Sequence, residues 1–214
     1  MADIIEAVQG VRSVTQGQTQ GRRPAPPREE VFAAAMAAIA EHGLASLTMA
    51  GLGRELGMSG GHLLYYFGSK DQLLLETLRW SEAELGERRR AALATAASAA
   101  RRLDDYVALY LPTGTGDPRW TLWVEVWGRA LSSEPMRSGQ VGIEAVWRAD
   151  LVALLREGIA GGEFREVDAE RFAVRFGALL DGFGTPIVTG LPGAGRESAL
   201  AHIGEYLDES LHLR

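Results

Sequence analysis

Apolar residues recur at three- and four-residue spacing along most of this chain, and that period predicts helix after helix from residue 28 onward. Val31, Phe32, Ala35, Met36 and Ile39 form one stripe that Gly43 ends, which predicts a first helix from about Arg28 to His42. Thr48 caps a second helix running to about Leu56, and the chain leaves it at Gly57. Ser59 caps a third, in which Leu63 and Phe67, four apart, turn inward together. Ser69 to Gln72 reads as a capping box opening a fourth helix, which passes Leu73, Leu74, Leu78 and Leu85 and fades among Arg88, Arg89 and Arg90, a solvated end in preference to a second DNA contact. Further helices are expected over Ala99 to Leu111, Arg119 to Leu131, Pro135 to Ala160, Asp168 to Val188 and Arg196 to His212, with Gly, Pro, Asp and Ser marking the breaks. No strand-period segment of useful length occurs, so the expected fold is all-α.

The segment Leu47 to Leu74 places two short helices around a tight turn with a third behind them, an arrangement that presents a helix to DNA. Ser59, Gly60, Gly61 and His62 put free backbone N–H groups and the positive end of a helix dipole outward, where a phosphate can sit. With Leu63 and Phe67 inside, His62, Tyr65 and Tyr66 face the groove, and Lys70 can neutralise a phosphate. Gly51 and Gly53 each cost about 1 kcal/mol of helix propensity relative to alanine, so the helix carrying them leans on tertiary packing.

The run Gly57-Met58-Ser59, then Gly61, Leu63, an aromatic pair, Phe67, Ser69-Lys70 and a leucine pair closely resembles the helix-turn-helix signature of TetR-family transcriptional regulators. It departs at Leu64, where the family usually has tyrosine, and at Leu52-Gly53, where it has an isoleucine-alanine pair. The resemblance implies DNA contacts at Thr48, Gly61, His62, Tyr65, Tyr66 and Lys70, with His62 reading a base. Trp120-x-x-Trp123, Trp147-Arg148, Gly161-Gly162-Glu163-Phe164 and Leu180-Asp181-Gly182-Phe183 further resemble the C-terminal domain of the family's choline-responsive betaine-regulator branch. That branch implies a cationic effector, since indole faces attract quaternary ammonium groups, although a flat aromatic effector would suit the same residues.

Charge first speaks against nucleic acid, because the net charge is −6. Between residues 22 and 80, however, Arg22, Arg23, Arg28, Arg54, Lys70 and Arg79 balance Glu29, Glu30, Glu41, Glu55, Asp71 and Glu76. A neutral reading module can still bind DNA when its cations share one face. Residues 1 to 27 have the composition of a flexible arm, in which Arg22 and Arg23 either reach an adjacent groove or backbone or belong to a solvated leader. The expected organisation is therefore an arm over 1–27, a DNA-binding domain over 28–75 and an effector-binding and dimerisation domain over 76–214.

Phe172, Phe176, Leu179, Leu180, Phe183 and Ile187 form one strong stripe, and Leu200, Ile203, Leu207 and Leu211 another. The resemblance pairs the last two long helices across a two-fold axis, which makes Phe172, Phe176, Leu179, Leu180, Leu200, Ile203, Leu207 and Leu211 the expected dimer contacts; the other use of these stripes is the subunit's own core. Gly182, Gly184 and Pro186 should kink or loosen the first helix near its end. Trp120, Trp123 and Trp127 share one helix face, Tyr106 and Tyr110 pair on the preceding helix, and Trp147 sits on the following one. With Phe183 these residues are expected to line an effector pocket. Asp181, set in an apolar helix, is a candidate counter-charge or dimer hydrogen-bond partner.

The chain has no cysteine, and its four histidines are scattered, so neither a disulfide framework nor a metal site is expected. Gly190 to Gly195 lacks the Lys-Ser/Thr ending of a phosphate loop, and no cofactor is expected. Asp104 and Asp105 are adjacent and do not face each other on a helix, and no other acid–base pair stands in a catalytic setting, so the chain is not expected to be an enzyme. No run of some 18 apolar residues and no signal pattern occurs, and a cytoplasmic protein without membrane contact is expected. The expected function is a dimeric repressor that binds palindromic double-stranded DNA and is released by a small molecule. The rival is a helical ligand-binding or scaffolding protein whose reading helix no longer binds DNA.

Overall fold

Each apolar stripe folds into a helix that turns that stripe inward, and the computed structural model describes residues 26–213. Helix α1 (Arg28–His42) buries Val31, Phe32, Ala35 and Ile39 and stops at Gly43, whose φ of 75° suits glycine. A 3-10 turn (Leu44–Ser46), which the apolar spacing did not suggest, leads into α2 (Met49–Glu55) and α3 (Gly60–Phe67). Then follow α4 (Lys70–Leu93), α5 (Ala99–Tyr110), α6 (Pro118–Ala130), α7 (Glu134–Ala160), α8 (Ala169–Thr189) and α9 (Arg196–Ser210). The described residues contain no strand beyond an isolated antiparallel bridge between Phe164 and His212. Arg22 and Arg23 lie outside the described residues.

Two hydrophobic cores organise these helices. The first gathers α1 to α4 and is closed by Leu122, Trp123, Val126 and Ala130 of α6 and Met136 of α7. The second joins α5, α7, α8 and α9 around Leu103, Tyr106, Leu151, Leu155, Phe176 and Leu180. Helix α4 serves both, with Leu73, Leu74, Leu75 and Leu78 in the first core and Leu85 and Leu93 against the second.

Three expectations are corrected at this level. The α8 and α9 stripes do not face outward: Phe172, Phe176, Leu180, Ile203, Leu207 and Leu211 are buried in the subunit's own core, and Leu179 and Leu200 pack half-buried against it. A single apolar stripe covers one face only, and here that face is needed to close the core over α5 and α7. What α8 exposes instead are Val174, Ala178 and Gly182, four residues apart. Second, α4 does not fade at its arginines but runs on to Leu93. Arg88 and Arg90 are exposed, whereas Arg89 is 1% exposed, pairs with Asp150 at 2.6 Å and lies over the Trp147 ring at 3.9 Å. Third, only one arm of the capping box forms: Ser69 Oγ accepts from the Gln72 backbone N–H, but the Gln72 amide turns to Glu76 at 2.9 Å. Pro186 is accommodated within α8, which continues to Thr189 and closes at Gly190 in the left-handed conformation.

Candidate functional site: a reading helix and an aromatic cavity

The caps at the N-terminal end form where the residue types place them. Thr48 Oγ1 accepts from the Gly51 N–H at 3.0 Å and Ser59 Oγ from the His62 N–H at 3.1 Å. Helices α2 and α3 then meet backbone to backbone. A Cβ at Gly53 would lie 2.8 Å from the Met58 carbonyl oxygen and 2.9 Å from the Gly60 nitrogen, and one at Gly60 would lie 2.9 Å from the Ala50 Cα. Gly53 thus has a packing reason that offsets its cost in helix propensity.

This close crossing fixes which side of α3 is free. Leu63 and Phe67 are buried, while Tyr65 is 87% exposed and Leu64 and Tyr66 are nearly half exposed. His62 is half-buried with its ring 5.4 Å from that of Tyr66. The surface formed by half-buried His62 and exposed Leu64, Tyr65 and Tyr66 has the mixed apolar and hydrogen-bonding character that base edges and thymine methyls accept. Thr48, Ser59 and Gly61 are also exposed and Gly60 is half-buried, all at the capped ends beside that surface. Lys70 is held differently from a free surface cation: its Nζ donates to the Leu47 carbonyl at 2.6 Å, tying α4 to the start of the motif.

Between the two cores lies a cavity of about 250 Å³, walled by Tyr106 and Tyr110 from α5, Trp120, Trp123 and Trp127 from α6, and Trp147 from α7. Six of the seven aromatic residues expected to line a pocket therefore do so. Phe183 does not: it stacks on His202 at 6.0 Å in a separate cleft between α8 and α9. The walls brace one another at edge-to-face angles, with Tyr110 against Trp147 at 5.0 Å and Trp120 against Trp127 at 5.9 Å. Asp117 caps α6 by accepting from the Trp120 N–H at 3.1 Å, and Trp120 Nε1 donates to the Tyr110 carbonyl at 2.9 Å. The far wall is built of small α8 residues, Ala173, Gly177 and Ala178.

Two carboxylates face this cavity. Asp181 accepts from the Tyr110 hydroxyl at 2.6 Å, and Glu144 lies across from it on α7. Burial pushes the Asp181 carboxyl above its ordinary range, against the lowering effect of the Tyr110 hydrogen bond. Burial and the Asp181 charge do the same to Glu144, opposed by Arg148 and the Trp127 side chain. Both tyrosine hydroxyls are held neutral, chiefly by burial. Of the two cations in the lining, Arg119 is committed to Glu82 and to the Tyr110 carbonyl, and Arg148 is exposed. An aromatic box with acids at its edge, whose buried cation is already paired, suits a small positively charged guest.

Glu82 is the residue that pattern reading passed over. It occupies the register of Leu78, Leu85 and Arg89 on α4, and an acid in an otherwise apolar stripe is the available signal. Its carboxylate is buried behind the box and accepts from Trp123 Nε1 at 2.6 Å, Trp147 Nε1 at 2.7 Å and Arg119 at 3.1 Å.

Comparison with known proteins joins the two halves. Residues 31–77 match the family described as bacterial regulatory proteins, tetR family, and residues 99–212 match the BetI-type transcriptional repressor, C-terminal. The HTH-type transcriptional regulator BetI of Agrobacterium fabrum is 31% identical over 86% of this chain and 87% of that protein. A putative transcriptional regulator from Saccharomonospora viridis, solved in complex with choline, is 30% identical with a TM-score of 0.79, over 87% of this chain and 98% of that one. A TetR transcription regulator from Haloarcula marismortui is 26% identical with a TM-score of 0.74, over 86% of this chain and 98% of that one.

Proposed function

The chain belongs to the TetR family of transcriptional regulators, in the branch with a BetI-type C-terminal domain, and on that premise we propose that it is a repressor released from its operator by choline or a close quaternary ammonium analogue. The observation that carries the ligand class is the box itself: Tyr110, Trp120, Trp127 and Trp147 around a cavity edged by Asp181 and Glu144. Each aromatic face contributes about 0.5 to 2 kcal/mol to a desolvated cation, and the carboxylates add a charge that a neutral aromatic guest cannot use. The choline complex of the Saccharomonospora viridis regulator supports the same class.

The reading domain over 28–75 presents His62, Tyr65 and Tyr66 to base edges, with Thr48, Ser59, Gly60, Gly61 and Lys70 toward the backbone. The body over 76–214 holds the effector and pairs two subunits. The face that pairs them is the outer one of α8 and α9, where Gly182 and Ala201 are exposed and small enough for close helix approach, with Val174 and Ala178 exposed between that face and the cavity they also line. A two-fold dimer sets two reading helices about 34 Å apart, one turn of a palindromic site. Effector that favours another spacing lowers DNA affinity, and a coupling of about 5- to 150-fold is ordinary for such a switch. Among the described residues no helix is long and apolar enough to cross a membrane, in keeping with a cytoplasmic DNA-binding protein.

The test is titration of choline into the protein bound to a labelled fragment of its own upstream DNA, with tryptophan emission followed in parallel. Release of DNA at the choline concentrations that perturb the tryptophans is expected. Release by a planar aromatic compound and none by choline would overturn the ligand class, and equal weak binding to operator and unrelated DNA would favour the scaffolding reading.

A further inference from the structure

We propose that Glu82 couples the cavity to the DNA-reading end of the subunit, an inference that rests on reading the aromatic box as the effector site. Glu82 is the point where α6, α7 and α4 are fastened together. Its Oε1 takes the Trp123 indole N–H at 2.6 Å and Arg119 at 3.1 Å, and its Oε2 takes the Trp147 indole N–H at 2.7 Å. Both indoles wall the cavity, from different helices. Two turns further along the same face of α4, Arg89 lies over the Trp147 ring at 3.9 Å and pairs with Asp150. Upstream, Leu73, Leu74 and Leu78 of the same helix share the first core with Leu63 and Phe67, the inward side of the reading helix.

The physical reason that this fastening transmits motion is the burial of the carboxylate, whose side chain is 4% exposed. A buried carboxylate that loses its donors finds no water to replace them, so the bonds persist while their partners shift. An effector that re-seats Trp123 and Trp147 therefore carries α4 with them. Leucine contacts alone would allow the helices to slip past one another, because apolar burial is non-directional.

The experiment compares the full-length wild-type protein with Glu82→Gln, measuring choline affinity by tryptophan emission and DNA affinity with and without saturating choline. Glutamine keeps the shape, but its NH₂ meets one of the donors that the carboxylate accepted, so one fastening is lost. The expected result is choline affinity lowered by no more than about tenfold, while the ratio of DNA affinities collapses to about one from a wild-type value in the ordinary allosteric range. Glu82→Gln that binds choline and retains the wild-type ratio overturns the inference. Should Glu82→Gln not fold, Trp123→Phe removes one indole donor and keeps an aromatic wall; a reduced ratio supports the coupling and an unchanged one refutes it. Wild-type protein that binds no choline sinks the ligand assignment and the coupling together, which separates that failure from failure of Glu82 alone.

Discussion

Substituting Gly184 by alanine is the sharpest available probe of how the box is built, because one methyl group sets α8 against Trp120. A Cβ at position 184 would lie 2.5 Å from Cζ2 and 2.7 Å from Cζ3 of that indole, where relaxed carbon contacts need about 3.5 to 4.0 Å. Something must move by about 1 Å. The indole has little room, being 2% exposed, bonded through Nε1 to the Tyr110 carbonyl at 2.9 Å and braced by the Tyr110 and Trp127 edges. Overpacking of this kind costs about 1 to 3 kcal/mol, and loss of the Nε1 bond adds about 1 kcal/mol. Replacing a helical glycine returns about 1 kcal/mol of propensity. The net is a destabilisation of about 1 to 3 kcal/mol, or a fall in Tm of roughly 2 to 12 °C for a chain of this length. Choline affinity should fall at least tenfold (about 1.4 kcal/mol), since the displaced ring is a wall of the cavity. Gly128→Ala is the control: that α6 glycine is exposed and its Cβ would meet nothing within 4 Å, so stability should rise by up to about 1 kcal/mol. Thermal unfolding at fixed protein concentration reads both. A Gly184→Ala protein that gains stability as Gly128→Ala does would show that the packing of α8 on Trp120 is not as described.

Other expectations follow from the same geometry. Because burial raises the Asp181 carboxyl, its acid form favours the fold: the stability it contributes is full below the ordinary carboxylate range and is lost as pH rises through the raised one. Cation binding needs the ionised form, so choline affinity should fall on acidification from neutral pH, and Asp181→Asn should weaken choline, flatten that profile and stabilise the ligand-free protein; a profile unchanged in the variant would refute the role. Ser59→Ala removes the acceptor for the His62 N–H and should cost about 0.5 to 2 kcal/mol, with DNA affinity falling and choline affinity held. Ala201→Arg should give folded monomers by sedimentation velocity, whereas Ile203→Arg, at a position 1% exposed within the subunit, should fail to fold. Folded monomers from the second and intact dimers from the first would return the dimer contact to the apolar stripes.

Much of the architecture was legible because helical period and caps are local properties. Thr48, Ser59 and Ser69 cap helices where their side chains and following sequence place them, and Leu63 and Phe67 lie inward because four residues make about one turn. The aromatic set of the cavity was legible for the same reason: Trp120, Trp123 and Trp127 share a face at helical spacing. Phe183 was misplaced because position along α8 says nothing of which neighbour that part of the helix meets; it meets His202 on α9.

What the linear pattern determines, then, is where helices begin and end and which of their faces avoid water. Which partner covers an apolar face is not in the pattern, since apolar burial rewards any nonpolar contact equally. Only the tertiary structure turned the α8 and α9 stripes into the subunit's own core and left the small-residue face outside. The fate of charges is likewise a matter of three dimensions. Arg89 reads as part of a solvated helix end and Glu82 draws no notice until Asp150, Arg119 and two indoles, distant in sequence, converge on them, because a buried charge persists only where folding has already assembled its partners.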